Sequence, residues 1–243
     1  MDFVVGATAA FSIFLASFFA TVSGFGFALI ATPLLAMVLP LKTVIVLVLV
    51  ITLVLRFTTM YRTRRDFHWG TVATTTLGCI LGMVPGSLVL KYIGARELQL
   101  FLSVVLLLAT LLMSLEYTLK IKNVLWGRLG AGFLSGFFGS ATSVGGPPLV
   151  LYFLNEHTEK TLMRANMIWI FGLSSTFTLL VYYLVGNIAD VTHWEVLLPM
   201  LPAVFVGIFL GEKFFHLLNP HLFRRLSLIV VCCGAIAMLV ESF

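Results

Sequence analysis

The 243-residue chain is 60% apolar and 10% charged, with a net charge of +5. Soluble domains carry about 25% charged residues, so a water-soluble fold cannot hide this much apolar surface. The charges lie almost wholly in short loops between apolar runs, which speaks for membrane topology and against a nucleic-acid partner. Alternating strands of a membrane barrel are absent, so the spans are α-helical.

In chain order, apolar segments are expected at 3–22, 28–39, 41–57, 70–92, 97–118, 128–138, 146–155, 164–187, 195–215 and 222–242. Asp2 stands where a signal peptide has basic residues, so the first segment reads as retained. The longest polar stretch is RFTTMYRTRRDFHW, 56–69, and its Arg62, Arg64 and Arg65 read as topology determinants. Trp69, Trp126 and Trp194 stand at expected span ends, as interfacial anchors do. Cys79, Cys232 and Cys233 all fall inside apolar spans and have no metal-ligand spacing with the histidines. Carboxylate pairs, His/Cys clusters and phosphate-cradling loops are missing, so neither an enzyme nor a cofactor is expected.

Two segments are interrupted alike. SGFGFALIATPLL, 23–35, and GSATSVGGPPLVLYFL, 139–154, each break a hydrophobic run with glycine, small hydroxyls and proline. Hydrocarbon cannot satisfy the N–H and C=O groups that such a break frees, at several kcal/mol each. Protein, water or a ligand must do so. New short helices are expected to begin near Phe27 and near Pro147, where a first-turn proline is well placed. A helix N-terminus carries about +0.5 of an elementary charge and free N–H donors. Two such ends, with Ser23, Ser140, Thr142 and Ser143, make a small cavity suited to an oxyanion and not to a cation, since neither break holds Asp or Glu. The alternative is that Gly24, Gly26, Gly145 and Gly146 serve only close helix packing, and that the hydroxyls bond the preceding turn.

Pro33 and Pro148 are also in register, because the halves match at an offset of 115 (Phe18, Gly24, Pro33 and Leu34 against Phe133, Gly139, Pro148 and Leu149). At an offset of 125, Gly82 and Gly86 meet Gly207 and Gly211. This reads as an internal duplication. Counting basic residues fixes its sense. If 3–39 and 128–155 each cross once, Lys and Arg divide eight against seven between the two faces. If each enters and returns, one face keeps only Lys42, Lys91 and Arg96, and the remaining twelve of the 15 lie on the other. The asymmetry selects the returning hairpins. Each half, 1–122 and 123–243, is then a broken hairpin (3–39; 128–155) plus three spans, an odd number of crossings, so the second copy is inverted. That is the plan of secondary transporters, with sites where broken helices meet.

Two cations stand near the hairpins. Arg164 is a candidate bidentate grip on an oxyanion or an ordinary cytoplasmic-end arginine. Lys42 is a candidate partner or a snorkelling interfacial lysine. Asn166 is a donor to a ligand or a bond to a neighbouring helix.

The motifs at 23–35 and 139–154, with RANMIW at 164–169 and the paired glycines of GMVPG (82–86) and GIFLG (207–211), resemble the sulfite exporter TauE/SafE family over essentially the whole chain. The resemblance implies an all-α polytopic transporter in the bacterial inner membrane that moves sulfite or a small organosulfur anion such as sulfoacetate. Here Phe25 and Phe27 interleave the glycines of the first break, where many relatives are richer in glycine. The expected site comprises Ser23, Gly24, Gly26, Pro33, Lys42, Ser140, Thr142, Ser143, Gly145, Gly146, Pro147, Arg164 and Asn166. Expected partners are a small anion, the lipid bilayer and a second copy in a homo-oligomer. Transport of another small anion such as a carboxylate, and a non-transporting scaffold subunit, are the competing readings.

Overall fold

The structure, a computed structural model, describes residues 3–23, 25–114, 123–187, 194–214 and 236. Gly24 and the expected last span at 222–242, apart from Ile236, lie outside the described residues. The described elements are helices: α1 (Phe3–Ser23), α2 (Phe27–Ala36), α3 (Leu41–Arg62), α4 (Trp69–Tyr92), α5 (Ala95–Ser114), α6 (Val124–Thr142), α7 (Gly146–Asn155), α8 (Lys160–Val185) and α9 (Trp194–Phe214).

Local chemistry sets the boundaries. Gly26 stands at φ 93 before α2, a left-handed conformation that a side chain resists. Ser143 takes φ 63 after α6, and Gly186 φ 84 after α8. Asn123 caps α6 through its side-chain oxygen, which accepts from Leu125 N at 3.0 Å and Trp126 N at 3.3 Å. His68 caps α4, Nδ1 accepting from Thr71 N at 3.2 Å. Pro147 and Pro148 occupy the first turn of α7, where their missing N–H groups cost nothing.

Among the described residues α3, α4 and α8 are long and apolar enough to cross a membrane. With the family reported below, they make this a multi-pass membrane protein. Each hairpin joins a long arm to a short one. The 21 residues of α1 and 19 of α6 rise roughly 31 and 28 Å, close to a full hydrocarbon thickness. The ten-residue α2 and α7 rise only about 15 Å. The second hairpin's long arm is therefore longer than the 128–138 expected, because Asn123 starts it a turn early and Thr142 ends it a turn late. Outward faces carry exposed Leu77, Leu81, Tyr183, Phe205 and Phe209, as surfaces bathed in lipid do.

Glycine decides how the helices pair. On α4, a Cβ at Gly78, Gly82 or Gly86 would strike the carbonyl of Leu129, Phe133 or Phe137 in turn. Rising numbers on both helices make α4 and α6 parallel. On α9, a Cβ at Gly207 would lie 2.8 Å from Phe14 O, and one at Gly211 2.8 Å from Phe18 O, so α9 and α1 are parallel too. The packing use of these glycines is thereby real. Polar contacts group the helix ends. Arg62 pairs with Glu212, and Asn166 Oδ1 accepts from His68 N at 2.8 Å. On another group of ends, Lys91 Nζ donates to Val185 O at 2.7 Å, Lys42 Nζ to Lys91 O at 3.4 Å and Asn187 Nδ2 to Ser87 O at 3.1 Å.

Candidate functional site

Both helix breaks open on one cavity of about 70 Å³. Gly26 and the first turn of α2 line it from the first hairpin, and Ser143, Val144, Gly145 and Gly146 from the second. The breaks touch: a Cβ at Gly146 would lie 3.3 Å from Phe25 Cδ2. Four further faces close the space. They are Leu49, Thr52 and Arg56 of α3, Cys79 and Met83 of α4, Ser135, Gly136 and Gly139 of α6, and Phe171, Ser174, Ser175 and Thr178 of α8. The spacing of three and four on α3 and α8 puts each set on one stripe of its helix.

The two helix starts face this space without side-chain caps at Gly26 or Gly145. Their first-turn N–H groups, less those missing at Pro147 and Pro148, have no partner within their own helix. The charge in the cavity is Arg56. Its side chain is 2% exposed, and its guanidinium lies over the Phe171 ring with Cζ 5.3 Å from the centroid. Among the described residues no carboxylate lines the space. Ser174 Oγ is buried beside the Cys79 thiol.

Most of the small hydroxyls at the second break are committed to the protein. Ser135 Oγ donates to Gly145 O at 2.7 Å and Ser143 Oγ to Ile45 O at 2.9 Å. Ser140 Oγ lies 2.8 Å from Gly136 O and 3.0 Å from Met83 O. Thr142 Oγ1 donates to Phe138 O at 2.7 Å and accepts from Val144 N at 3.3 Å. These contacts satisfy carbonyls around the break and leave the hydroxyl protons unavailable to an anion.

Of the residues expected from sequence, Gly26, Ser143, Gly145 and Gly146 come together at the cavity. Among the described side chains, Pro33, Lys42, Ser140, Thr142, Pro147, Arg164 and Asn166 do not line it. Ser140 and Thr142 turn to backbone as above. Pro33 is buried inside α2, and Pro147 lines a separate apolar hollow of about 460 Å³ between α5, α6 and α7. Lys42 is exposed at the start of α3 beside Lys91. Asn166 is spent on His68 N. Arg164 donates from Nε to Thr21 O at 3.1 Å, which caps the end of α1. Ser23 is the last residue of α1.

Arg56 is the residue that sequence reading assigned to a polar loop. The helix was expected to end at 57, but α3 continues to Arg62, so Arg56 lies more than a turn inside it. The available signal was its position directly after an unbroken apolar run, with Phe57, Met60 and Tyr61 continuing the helix. An ionisable residue inside a span is a functional candidate by default.

A family model described as Sulfite exporter TauE/SafE matches residues 9–238. The chain is 28% identical over 235 residues to the Probable sulfite/organosulfonate exporter TauE of Cupriavidus necator, covering 92% of this chain and 90% of that one. No solved structure matches it. With two broken hairpins closing on one arginine-bearing cavity, the chain belongs to the sulfite exporter TauE/SafE family of membrane transporters, which are not enzymes.

Proposed function

We propose that this protein is a secondary transporter that exports a small sulfur-containing anion across the bacterial inner membrane. The observation that carries the reading is the one cavity shared by both helix breaks, with a buried arginine and, among the described residues, no carboxylate on its walls. Helix N-termini supply N–H donors and positive potential, Arg56 supplies a full charge with a planar fork, and Ser174 a buried hydroxyl. Gly26, Gly145 and Gly146 let backbone approach the anion, and Ser143 holds the second break against α3. Arg164 and Lys42 serve structure in this reading.

The reading takes the protein as two inverted repeats, 1–122 and 123–243. Three features support it. The second of the three spans of one half lies parallel to the long arm of the other half's hairpin in both cases, α4 on α6 and α9 on α1. Arg62 pairs with Glu212 and His68 bonds Asn166, which a chain with hairpins that cross once would separate onto opposite faces. Lys91 reaches Val185 O, which that arrangement would separate as well. The basic face is cytoplasmic, and an inside-negative potential favours export of a monovalent anion by about 2.3 kcal/mol per 100 mV.

The test is charge movement in liposomes holding the purified protein, after rapid jumps to sulfite, methanesulfonate, sulfate, acetate and chloride. Currents are expected with sulfite and not with acetate. Equal responses to acetate, or none to any sulfur anion in either current or isotope uptake, would remove the sulfur-anion assignment.

A further inference from the structure

The second helix break has a side that faces away from the cavity both breaks share. Val144 lines that cavity and also the apolar hollow of about 460 Å³ between α5, α6 and α7. We infer that this hollow is a phospholipid site: an acyl chain lies against the back of the break, and the lipid phosphate is held at Arg128. The site is separate from the shared cavity and stands whatever that cavity carries.

The break is chemically prepared for hydrocarbon on that side. Non-helical backbone at membrane depth must have its polar groups satisfied. Val144 N donates to Thr142 Oγ1 at 3.3 Å, and Gly145 O accepts from Ser135 Oγ at 2.7 Å, so both are spent on protein. Pro147 and Pro148, which line the hollow, have no N–H to leave bare. What this stretch turns to the hollow is therefore apolar. Leu108 and Leu134 on the walls are 52% and 47% exposed, so the hollow opens sideways onto the lipid-bathed surface. It has room for on the order of thirty water-sized spheres at roughly 10–15 Å³ each, which suits a length of acyl chain. Apolar cavities stay dry and take apolar occupants.

The hollow is also amphiphilic in the sense a phospholipid needs. Among its described lining residues, the polar side chains gather where α6 starts and α7 finishes. Trp126 is exposed there, as an interfacial indole is. Tyr152 and Asn155 line the same end, and the Arg128 guanidinium stands beside the Tyr152 hydroxyl. Guanidinium grips phosphate with paired N–H donors, and basic pockets between membrane helices hold lipid headgroups. Glu156 is near the same hydroxyl, but over 120–156 Lys120, Lys122 and Arg128 outnumber it three to one. That balance suits an anionic headgroup.

A Cβ at Gly130, on the wall, would meet nothing within 4 Å, so a side chain there enters the hollow without striking protein. Gly130→Leu is therefore the filling variant, and leucine suits a helix better than glycine does. The experiment gives the purified full-length protein a phosphatidylglycerol with a photoreactive group in its acyl chain, then maps the labelled peptides. Native mass spectrometry counts the phospholipid retained through detergent washing. Wild type is expected to retain a single phospholipid per chain and to be labelled on α5, α6 and α7 around the hollow. Gly130→Leu is expected to lower retention and labelling by on the order of tenfold, and Arg128→Gln to lower retention. Label spread evenly over the outward helix faces of wild type would mean annular lipid only and would overturn the site. Unchanged labelling of the hollow in a folded Gly130→Leu protein would overturn it as well. Unchanged retention in folded Arg128→Gln would remove the phosphate contact. An unlabelled hollow, with cysteines at Leu134 cross-linking between copies, would give it to a second copy of the chain instead.

Discussion

Arg56→Gln separates a substrate-reading arginine from a structural one. Gln keeps a polar head of similar reach but removes the charge and the fork. The site is deep, at 2% exposure, so an effective dielectric near 20 applies, and a guanidinium–oxyanion contact at about 4 Å is worth about 4 kcal/mol. Hydrogen bonds to charged groups contribute about 1.5–3 kcal/mol net. Together these bound the loss at roughly 2–4 kcal/mol, or about 30- to 700-fold in sulfite affinity. Folding moves differently. Losing the guanidinium stack on Phe171 is expected to cost about 0.5–2 kcal/mol, read as a modestly lower melting temperature without ligand, while a folded variant still reports affinity. Arg56→Lys, which keeps charge but loses the planar stack on Phe171, falls between the two in affinity. The assay is concentration-dependent sulfite current, with ligand-induced thermal shift as a second readout. A folded Arg56→Gln protein whose half-saturating sulfite concentration stays within about twofold of wild type would refute the assignment.

Arg164→Gln loses the bond to Thr21 O, so it is expected to cost about 1.5–3 kcal/mol of stability while raising half-saturation by no more than about fivefold; thermal denaturation beside sulfite currents checks both. Tyr182→Phe removes the hydroxyl that donates to Ser140 O and is expected to cost about 1–3 kcal/mol, read as a lower melting temperature. Gly82→Ala drives a methyl into Phe133 O at the α4–α6 contact, and overpacking of about 1–3 kcal/mol is expected to appear as lost monodispersity or a lower melting temperature. In a background without Cys79, Cys232 and Cys233, cysteines at Arg62 and Glu212 are expected to be labelled by an impermeant thiol reagent from one side, and one at Lys91 from the other. Labelling of positions 62 and 212 from opposite sides would rule out the returning hairpins.

The hairpin breaks were legible because their causes are local. Glycine permits φ 93 at Gly26 in any surroundings, and proline lacks its N–H wherever it stands, so short helices were expected near Phe27 and Pro147 and begin at Phe27 and Gly146. What depended on tertiary contact was not legible. Arg56 looked like the first charge of a loop, and only the packing of α3 against α8 and the second break makes it a buried wall residue. The hydroxyls at the second break mark the right place in the fold, yet Ser140, Thr142 and Ser143 direct their protons to carbonyls that exist only once three helices have met. Arg164 and Asn166 likewise sit near the expected start of α8, but their partners, Thr21 O and His68 N, are about a hundred or more residues away in sequence.

The electrostatics of the site depend on which helix ends are left bare. Each hairpin break creates a positive start, at α2 and α7, and a negative finish, at α1 and α6, within a few residues of one another. Left alone, the opposed dipoles would largely cancel at the cavity. Here the finishes are covered and the starts are not. Arg164 Nε donates to Thr21 O, and the Tyr182 hydroxyl donates to Ser140 O, both from α8 at positions about five turns apart. Gly26 and Gly145 put no capping side chain on the starts. The surviving field therefore points positive into the space that Ser174, Ser175 and Thr178 of the same helix line. One helix end is worth about 0.3–1 kcal/mol, well below the 2–4 kcal/mol assigned to Arg56. In the proposed reading Arg56 thus supplies most of the affinity, and the asymmetric capping by α8 lets the broken helices add to it.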